Sequence, residues 1–202
     1  MGWLPLLLAL ASGWLLAAAA GPARGLRPLW AARLLEASLG AGLGMGLSSV
    51  AYFLLLVAGV ASRGSVVAVH LVMAAVLGVL AWKRRTGAEA PGGESAAPAG
   101  RTVWLLALLV AAVLVPAIVA EARISASNAH GQWDAWAIWN LRAKYLAGDG
   151  DAWRYALSPL LNRTHPDYPL LISGLVAANW RAAGVMDPAI PGVITYLFPL
   201  AA

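Results

Sequence analysis

Long apolar runs separated by short polar stretches dominate the pattern of this chain. Four windows, 3–20, 38–61, 65–82 and 102–120, are strongly apolar, and two weaker ones follow at 168–183 and 188–202. A helix crosses the bilayer core with about 20 apolar residues, so the pattern predicts an all-α fold, a polytopic transmembrane helix bundle of about six membrane segments.

The composition agrees with this pattern. Hydrophobic residues make up 61% of the 202 and the mean hydropathy is +0.74, whereas a soluble domain has roughly 45–50% apolar residues. The net charge of +5 does not indicate nucleic-acid binding, because the cations concentrate in two loops, 21–36 and 83–101. The positive-inside rule places these loops in the cytoplasm and residues 121–167 on the extracytoplasmic side. The absence of cysteine excludes thiol catalysis, disulfides and thiolate metal sites.

Three features of the apolar windows have two interpretations each. The first window is either a membrane helix or a cleaved signal peptide, although it lacks a basic amino-terminal region. Alternating glycines at 40–46 form overlapping GxxxG spacings, which either pack against another helix or reflect composition alone. His70 is either a packed or interfacial residue or a proton relay, and the lack of an acidic neighbour in sequence disfavours the relay.

Composition also predicts one internal boundary. Residues 86–100 are rich in Ala, Gly, Pro and Glu without aromatic residues, which is typical of a flexible linker. We therefore expect an amino-terminal three-helix membrane block at 1–85, a cytoplasmic linker at 86–101 and a second domain at 102–202. Asp187 and Pro188 favour a helix start. Because the apolar run that follows continues to Ala202, we expect the chain to be the amino-terminal part of a longer protein.

Most acids and bases that could do chemistry lie between the fourth and fifth windows. The aromatic segment, WDAWAIWNLRAKYL at 133–146, is predicted to be a helix that is apolar nearly all round and lies at the membrane interface. Asp134 falls in its first turn, where the helix dipole favours a carboxylate and the neighbouring indoles disfavour its ionisation. Asp134 is therefore either a tuned general base or a helix cap.

A second cluster, THPDYP at 164–169, directly precedes the fifth window. His165 and Asp167 either bind substrate, assist Asp134, or mark the turn at which the chain re-enters the bilayer. These three residues are too few for most divalent ions, though they would hold a partly hydrated one, so no cofactor is predicted. Arg142 and Arg163 are candidates for holding a phosphate, or cations that snorkel to the interface.

The order of these features resembles the GT-C superfamily of membrane glycosyltransferases, over about residues 102–202. The most similar branch is that of protein O-mannosyltransferases, aminoarabinose transferases and related bacterial enzymes. In that branch an Asp-Glu pair opens the first extracytoplasmic loop and a His-Pro-Pro motif ends it. Here Asp134 is followed by Ala135, and His165 is followed by Pro166 and Asp167, so both motifs are matched in part.

The resemblance implies an enzyme of the bacterial inner membrane that transfers a sugar from a polyprenyl-phosphate-linked donor to an extracytoplasmic acceptor hydroxyl, with inversion. Asp134 would be the catalytic base, and Arg142 or Arg163 would face the phosphate. The other implied substrate-binding residues are Trp133, His165, Asp167 and Tyr168. The implied partners are the lipid-linked donor, the acceptor and membrane lipid.

The alternative is a non-catalytic polytopic protein, a scaffold or a transporter part, in which the aromatic segment is only an interfacial anchor. A transporter places ionisable residues near the bilayer midplane. The long windows are nearly free of them, which disfavours transport and leaves the scaffold as the main competitor.

Overall fold

The computed structural model describes residues 2–21, 28–86, 100–128, 130–165 and 167–201, which are helical apart from turns and contain no strand. A π-helical segment spans Ala135–Asn140, and two 3₁₀ helices span Gly150–Leu157 and Pro159–Thr164. The predicted all-α class is confirmed, while most of the predicted linker, at 87–99, lies outside the described residues. The α-helices are α1 (Leu4–Ala20), α2 (Leu29–Val57), α3 (Arg63–Thr86), α4 (Arg101–Ser127), α5 (Leu141–Leu146), α6 (Leu171–Ala183) and α7 (Ala189–Ala201).

Three of these helices, α2, α3 and α4, are long and apolar enough to cross a membrane, as expected for a membrane protein. The apolar helices α1 and α7 are shorter. Helix α6 has 13 residues, or about 20 Å at 1.5 Å per residue, less than the roughly 30 Å of a bilayer core. Every predicted window thus contains a helix, and the number of six membrane segments stays a prediction.

Helices α1 and α2 cross closely through glycines. A Cβ atom on Gly13 would overlap the carbonyl oxygen of Gly40, and a Cβ on Gly44 would overlap the carbonyl oxygen of Ala9. A Cβ on Gly42 would meet nothing within 4 Å. The GxxxG pair at positions 40 and 44 is therefore a specific packing seam that lets two backbones meet, whereas Gly42 takes no part in it.

Helix α6 lies in the centre of the bundle, with nine of its 13 residues buried. Asn179 on α6 accepts a hydrogen bond from the Leu6 N–H of α1 (3.0 Å) and donates one to the carbonyl of Leu175 (2.8 Å). Buried residues of α1, α2, α3, α6 and α7 form one hydrophobic cluster. Helices from both sides of the predicted linker therefore share a core.

A second buried polar pair joins α2 to α3. His70 is fully buried, its Nδ1 donates to the Val66 carbonyl (2.7 Å), and its Nε2 accepts from the Ser48 hydroxyl (2.6 Å). Because a carbonyl can only accept, these roles fix the tautomer of the neutral ring. Both ring nitrogens are satisfied within the bundle, as the packing interpretation of His70 predicts.

The position of α6 along α2 determines the depth of the loop that precedes it. Ser49 donates to the Leu170 carbonyl (3.2 Å) at the start of α6, and Arg181 near its end donates to the Ala61 carbonyl (2.8 Å) just beyond α2. The two helices therefore run parallel. Ser49 lies eight residues before Val57, about 12 Å along the axis, so the turn at 167–170 lies beside α2 and not beyond its end.

Candidate functional site

The aromatic segment is helical from Trp133 to Leu146, as predicted, but its middle is π-helical over Ala135–Asn140. Single π turns are rare and occur frequently at functional sites. Trp133 and Trp136 are 64% and 48% exposed, and their rings pack edge-to-face at 4.7 Å. The segment therefore has an exposed indole face and an opposite face that is buried on the bundle, made of Ala137, Ile138, Arg142, Ala143 and Leu146.

Rings from the two predicted motifs stack on one another. The His165 and Tyr168 rings lie 4.5 Å apart at 14°, and the Tyr168 and Trp139 rings lie 5.7 Å apart at 30°. His165 has a left-handed backbone conformation, with φ of 49°, and its carbonyl accepts the Tyr168 N–H (2.9 Å). This tight turn brings the second cluster against the aromatic segment, so two motifs that are distant in sequence are neighbours in the fold.

Arg142 holds this turn in place. Its side chain is fully buried, and Nη1 donates to the carbonyl oxygens of Tyr168 (2.9 Å) and His165 (3.3 Å). Burial lowers the pKa of Arg142 below its ordinary value, and the nearby Asp167 carboxylate opposes that effect. A buried guanidinium needs such hydrogen bonds. The structure thus gives Arg142 a positioning role in place of the snorkelling or the phosphate contact weighed from the sequence.

The other predicted residues lie at the surface or outside the description. Asp134 is exposed and lies inside the helical segment, directly before its π-helical part, and its side chain makes no capping hydrogen bond to that part, so the capping interpretation finds no support. Asp167 is also exposed. The side chain of Arg163 lies outside the described residues, and its phosphate contact stays a prediction.

A cleft of about 400 Å³ opens between the end of α4, the π segment and the starts of α6 and α7. Asn140 donates to the His130 carbonyl (3.1 Å) and so ties the loop after α4 to the aromatic segment. Asp134 does not line the cleft, but the next residue, Ala135, does. The lining includes the polar and aromatic side chains of Glu121, Asn128, His130, Trp139, Asn140 and Thr195.

Trp139 belongs both to the cleft and to the stack with Tyr168, so the second cluster supports a wall of the cleft. Sequence reasoning did not single out Glu121, His130 or Asn140. A signal for Glu121 was present, because it is the only acidic residue in α4. His130 and Asn140 carried no such signal, since their place in the cleft depends on tertiary contacts.

Among the described residues, no group of three or more His, Asp or Glu side chains is placed to hold a metal ion. Asp134, His165 and Asp167, weighed above as ligands of a hydrated ion, thus do not assemble into such a group. Comparison of the chain with protein-family models, with curated proteins and with solved structures gives no match.

Proposed function

We propose that this chain belongs to a GT-C-type glycosyltransferase of a bacterial inner membrane. It would transfer a sugar from a polyprenyl-phosphate-linked donor to an acceptor hydroxyl on the extracytoplasmic side, with the aromatic segment at the outer interface of the membrane. The observation that carries the proposal is the cleft at the end of α4, in which a few polar side chains lie on a largely apolar wall and which Trp139 joins to the stacked rings of Tyr168 and His165. A mostly apolar cavity with a few convergent polar groups is typical of small-molecule sites, and this favours a ligand-binding role.

The surroundings of the cleft suit a donor that is itself a lipid. Helix α4, which forms one wall, contains no buried residue and exposes a row of apolar side chains such as Leu108, Leu109 and Val113. A polyprenyl chain would lie along this helix in the bilayer while the sugar that it carries reaches the cleft. The turn at 167–170, beside α2, lies at a depth that is compatible with a lateral approach of this kind.

The proposed step is a single displacement. Asp134, next in sequence to the cleft-lining Ala135, takes the proton of the acceptor hydroxyl as that oxygen forms a bond to the anomeric carbon. The bond from that carbon to the phosphate oxygen breaks, and its electron pair leaves with the phosphate. Arg163 is the cation proposed to face the phosphate, since Arg142 donates to backbone carbonyls. Trp133, His165, Asp167 and Tyr168 are proposed to contact substrate.

One observation favours the competing function, a non-catalytic membrane scaffold. The exposed indoles of Trp133 and Trp136 have the character of an interfacial anchor. In a scaffold neither Asp134 nor the cleft would be needed for any transfer reaction.

The test compares Asp134→Asn with Asp151→Asn in membranes that contain equal amounts of each protein. Asp151 is a suitable control because it is exposed and pairs with Arg154 (3.0 Å), outside the residues of the cleft. Transfer of labelled sugar from polyprenyl-phosphate donors should fall about 10²–10⁴-fold in the Asp134 variant, the usual contribution of a general base, and stay unchanged in the control. Full transfer by the Asp134 variant would rule out that base. Absence of transfer by the native protein with every donor would favour the scaffold.

A further inference from the structure

Glu121 is an acidic side chain within the apolar helix α4, and it lines the cleft. Ionisable residues within membrane helices are costly and are a reason to look for a functional role. Ser125, one turn further along α4, donates to Glu121 Oε1 at 3.4 Å and so orients the carboxylate. Glu121 therefore points a hydrogen-bond acceptor at the cavity from a rigid helix.

The charge of the cleft argues against a phosphate as its occupant. None of its described lining residues is lysine or arginine, and Glu121 is the carboxylate among them. An anion there would face the Glu121 carboxylate, with the His130 ring as the one basic group in the described lining. A neutral ligand with several hydroxyl groups suits the lining better, because hydroxyls donate to a carboxylate and exchange hydrogen bonds with the amides of Asn128 and Asn140.

The shape of the cleft agrees with a sugar ring. Its volume of about 400 Å³ falls in the range of small-molecule sites, roughly 300–1,000 Å³. Trp139 presents an indole whose ring is stacked on Tyr168, and such a fixed aromatic surface can pack on the apolar C–H face of a sugar. The cavity is thus lined by a carboxylate, by the amides of asparagine side chains and by the flat apolar ring of Trp139.

From these features we infer that the cleft is a sugar-binding subsite in which Glu121 accepts hydrogen bonds from sugar hydroxyls. The inference rests on the proposed function and deepens it, because it places the transferred sugar inside the cleft and leaves the phosphate and the lipid chain outside. Glu121 is thereby assigned a binding role that is separate from the proposed base, Asp134.

Carbodiimide labelling tests this assignment without any transfer assay. The protein in lipid nanodiscs is treated with dicyclohexylcarbodiimide, which modifies carboxyl groups in apolar surroundings, and the labelled residues are identified by mass spectrometry. The probes are octyl β-glucoside, β-galactoside and β-mannoside below their micellar concentrations. At least one glycoside should slow labelling of Glu121 about tenfold, as expected for a hydrogen bond to a charged group. Labelling of Glu36, paired with Arg33 on α2, should not change.

Two matched probes and two matched variants make the test specific. Octyltetraoxyethylene has the same tail without a sugar, and octyltrimethylammonium has the same tail with a cation. Gly192 lines the cleft and Gly42 lies away from it, yet a Cβ at either position meets nothing within 4 Å. Gly192→Leu should therefore fill the cleft and abolish protection of Glu121, while Gly42→Leu should preserve it.

Several outcomes would overturn the sugar subsite. Equal protection by octyltetraoxyethylene would show that the cleft takes an alkyl chain, and protection by octyltrimethylammonium alone would show a cation site. Failure of Glu121 to react while Glu36 reacts would show that the carboxylate does not face an accessible cavity. Glycoside protection in a protein that transfers no sugar would remove the proposed function and leave the subsite. Sugar transfer without glycoside protection would remove the sugar subsite and leave the proposed function.

Discussion

A single methyl group placed at Gly44 or at Gly42 tests whether the α1–α2 crossing organises the bundle. At Gly44 the added Cβ would overlap the Ala9 carbonyl oxygen, approach the Ala9 carbonyl carbon to 2.8 Å and approach the Gly13 nitrogen to 3.2 Å. All three are backbone atoms, which cannot rotate away as a side chain would. The helices must therefore separate in Gly44→Ala, whereas Gly42→Ala adds a methyl group to open space.

The size of the effect follows from the difference between the two variants. Replacing glycine by alanine within a helix stabilises the helix by up to about 1 kcal/mol, and this term is shared by both variants. Overpacking a close contact costs about 1–3 kcal/mol, and only Gly44→Ala incurs that cost. A chain of this size shifts its melting temperature by about 2–4 °C per kcal/mol, so Gly44→Ala should melt about 2–12 °C below Gly42→Ala.

Thermal unfolding in one detergent, followed by the fluorescence of the 10 tryptophans, measures this difference. Trp14 is a local reporter, because its Cα would lie 2.7 Å from a Cβ on Gly40. Both variants should be compared at equal protein concentration and lipid content. Identical melting temperatures, or a lower value for Gly42→Ala, would refute the assignment of the seam to positions 40 and 44.

Substitutions at Arg142 and in the Ser48–His70 pair test the buried polar contacts. Arg142→Met should release the turn between His165 and Tyr168 at a cost of about 1.5–3 kcal/mol for each hydrogen bond lost. The loss should be seen as faster hydrogen exchange of the Tyr168 amide, whose N–H donates to the His165 carbonyl (2.9 Å). Arg142→Lys should restore part of the protection, and unchanged exchange in both variants would contradict the positioning role. Ser48→Ala should lower the free energy of unfolding by about 1–3 kcal/mol, because His70 Nε2 loses its buried partner. In the double variant with His70→Leu no buried polar group is left unpaired, so its stability should lie closer to that of the native protein. Thermal melts of the single and double variants check this. If the losses of stability in the two single variants simply add in the double variant, Ser48 and His70 do not stabilise each other.

The helix positions were predictable because hydropathy and end signals are local. Asp187 and Pro188 predicted a helix start, and in the structure the Asp187 carboxylate accepts the Ala189 N–H (2.9 Å) at the first residue of α7. The glycine pattern also predicted a possible seam. The sequence alone does not show that the seam uses Gly40 and Gly44 and not Gly42. Tertiary packing decides which face of α2 is covered by α1, so the structure of both helices is needed.

The role of α6 could not be predicted from its hydropathy. An apolar side chain contributes the same hydropathy whether lipid or protein covers it, so the window at 168–183 was interpreted as a membrane segment. In the structure α6 is a short helix with Ser173 and Asn179 fully buried. Ser173 donates to the Trp139 carbonyl (3.0 Å), a partner that no local pattern indicates.

Glu121 escaped sequence analysis for a definable reason. The fourth apolar window ended at 120, immediately before this charge, so Glu121 was counted with the loop. The helix itself continues to Ser127, because one glutamate and one arginine do not break backbone hydrogen bonding and both residues are good helix formers. A window defined by hydropathy therefore stopped short of the residue that lines the cleft.

The π segment explains why Asn140 lines the cleft together with Ala135. At 3.6 residues per turn, residues five apart point about 140° away from each other, so a helical wheel separates Ala135 from Asn140. A π turn bonds residue i to residue i+5 and brings residues five apart close to one direction. Ala135 and Asn140 do line the same cleft. The wheel used on the sequence assumed the α-helical period, and this local change of period turns the amide of Asn140 toward the cavity that Glu121 faces from α4.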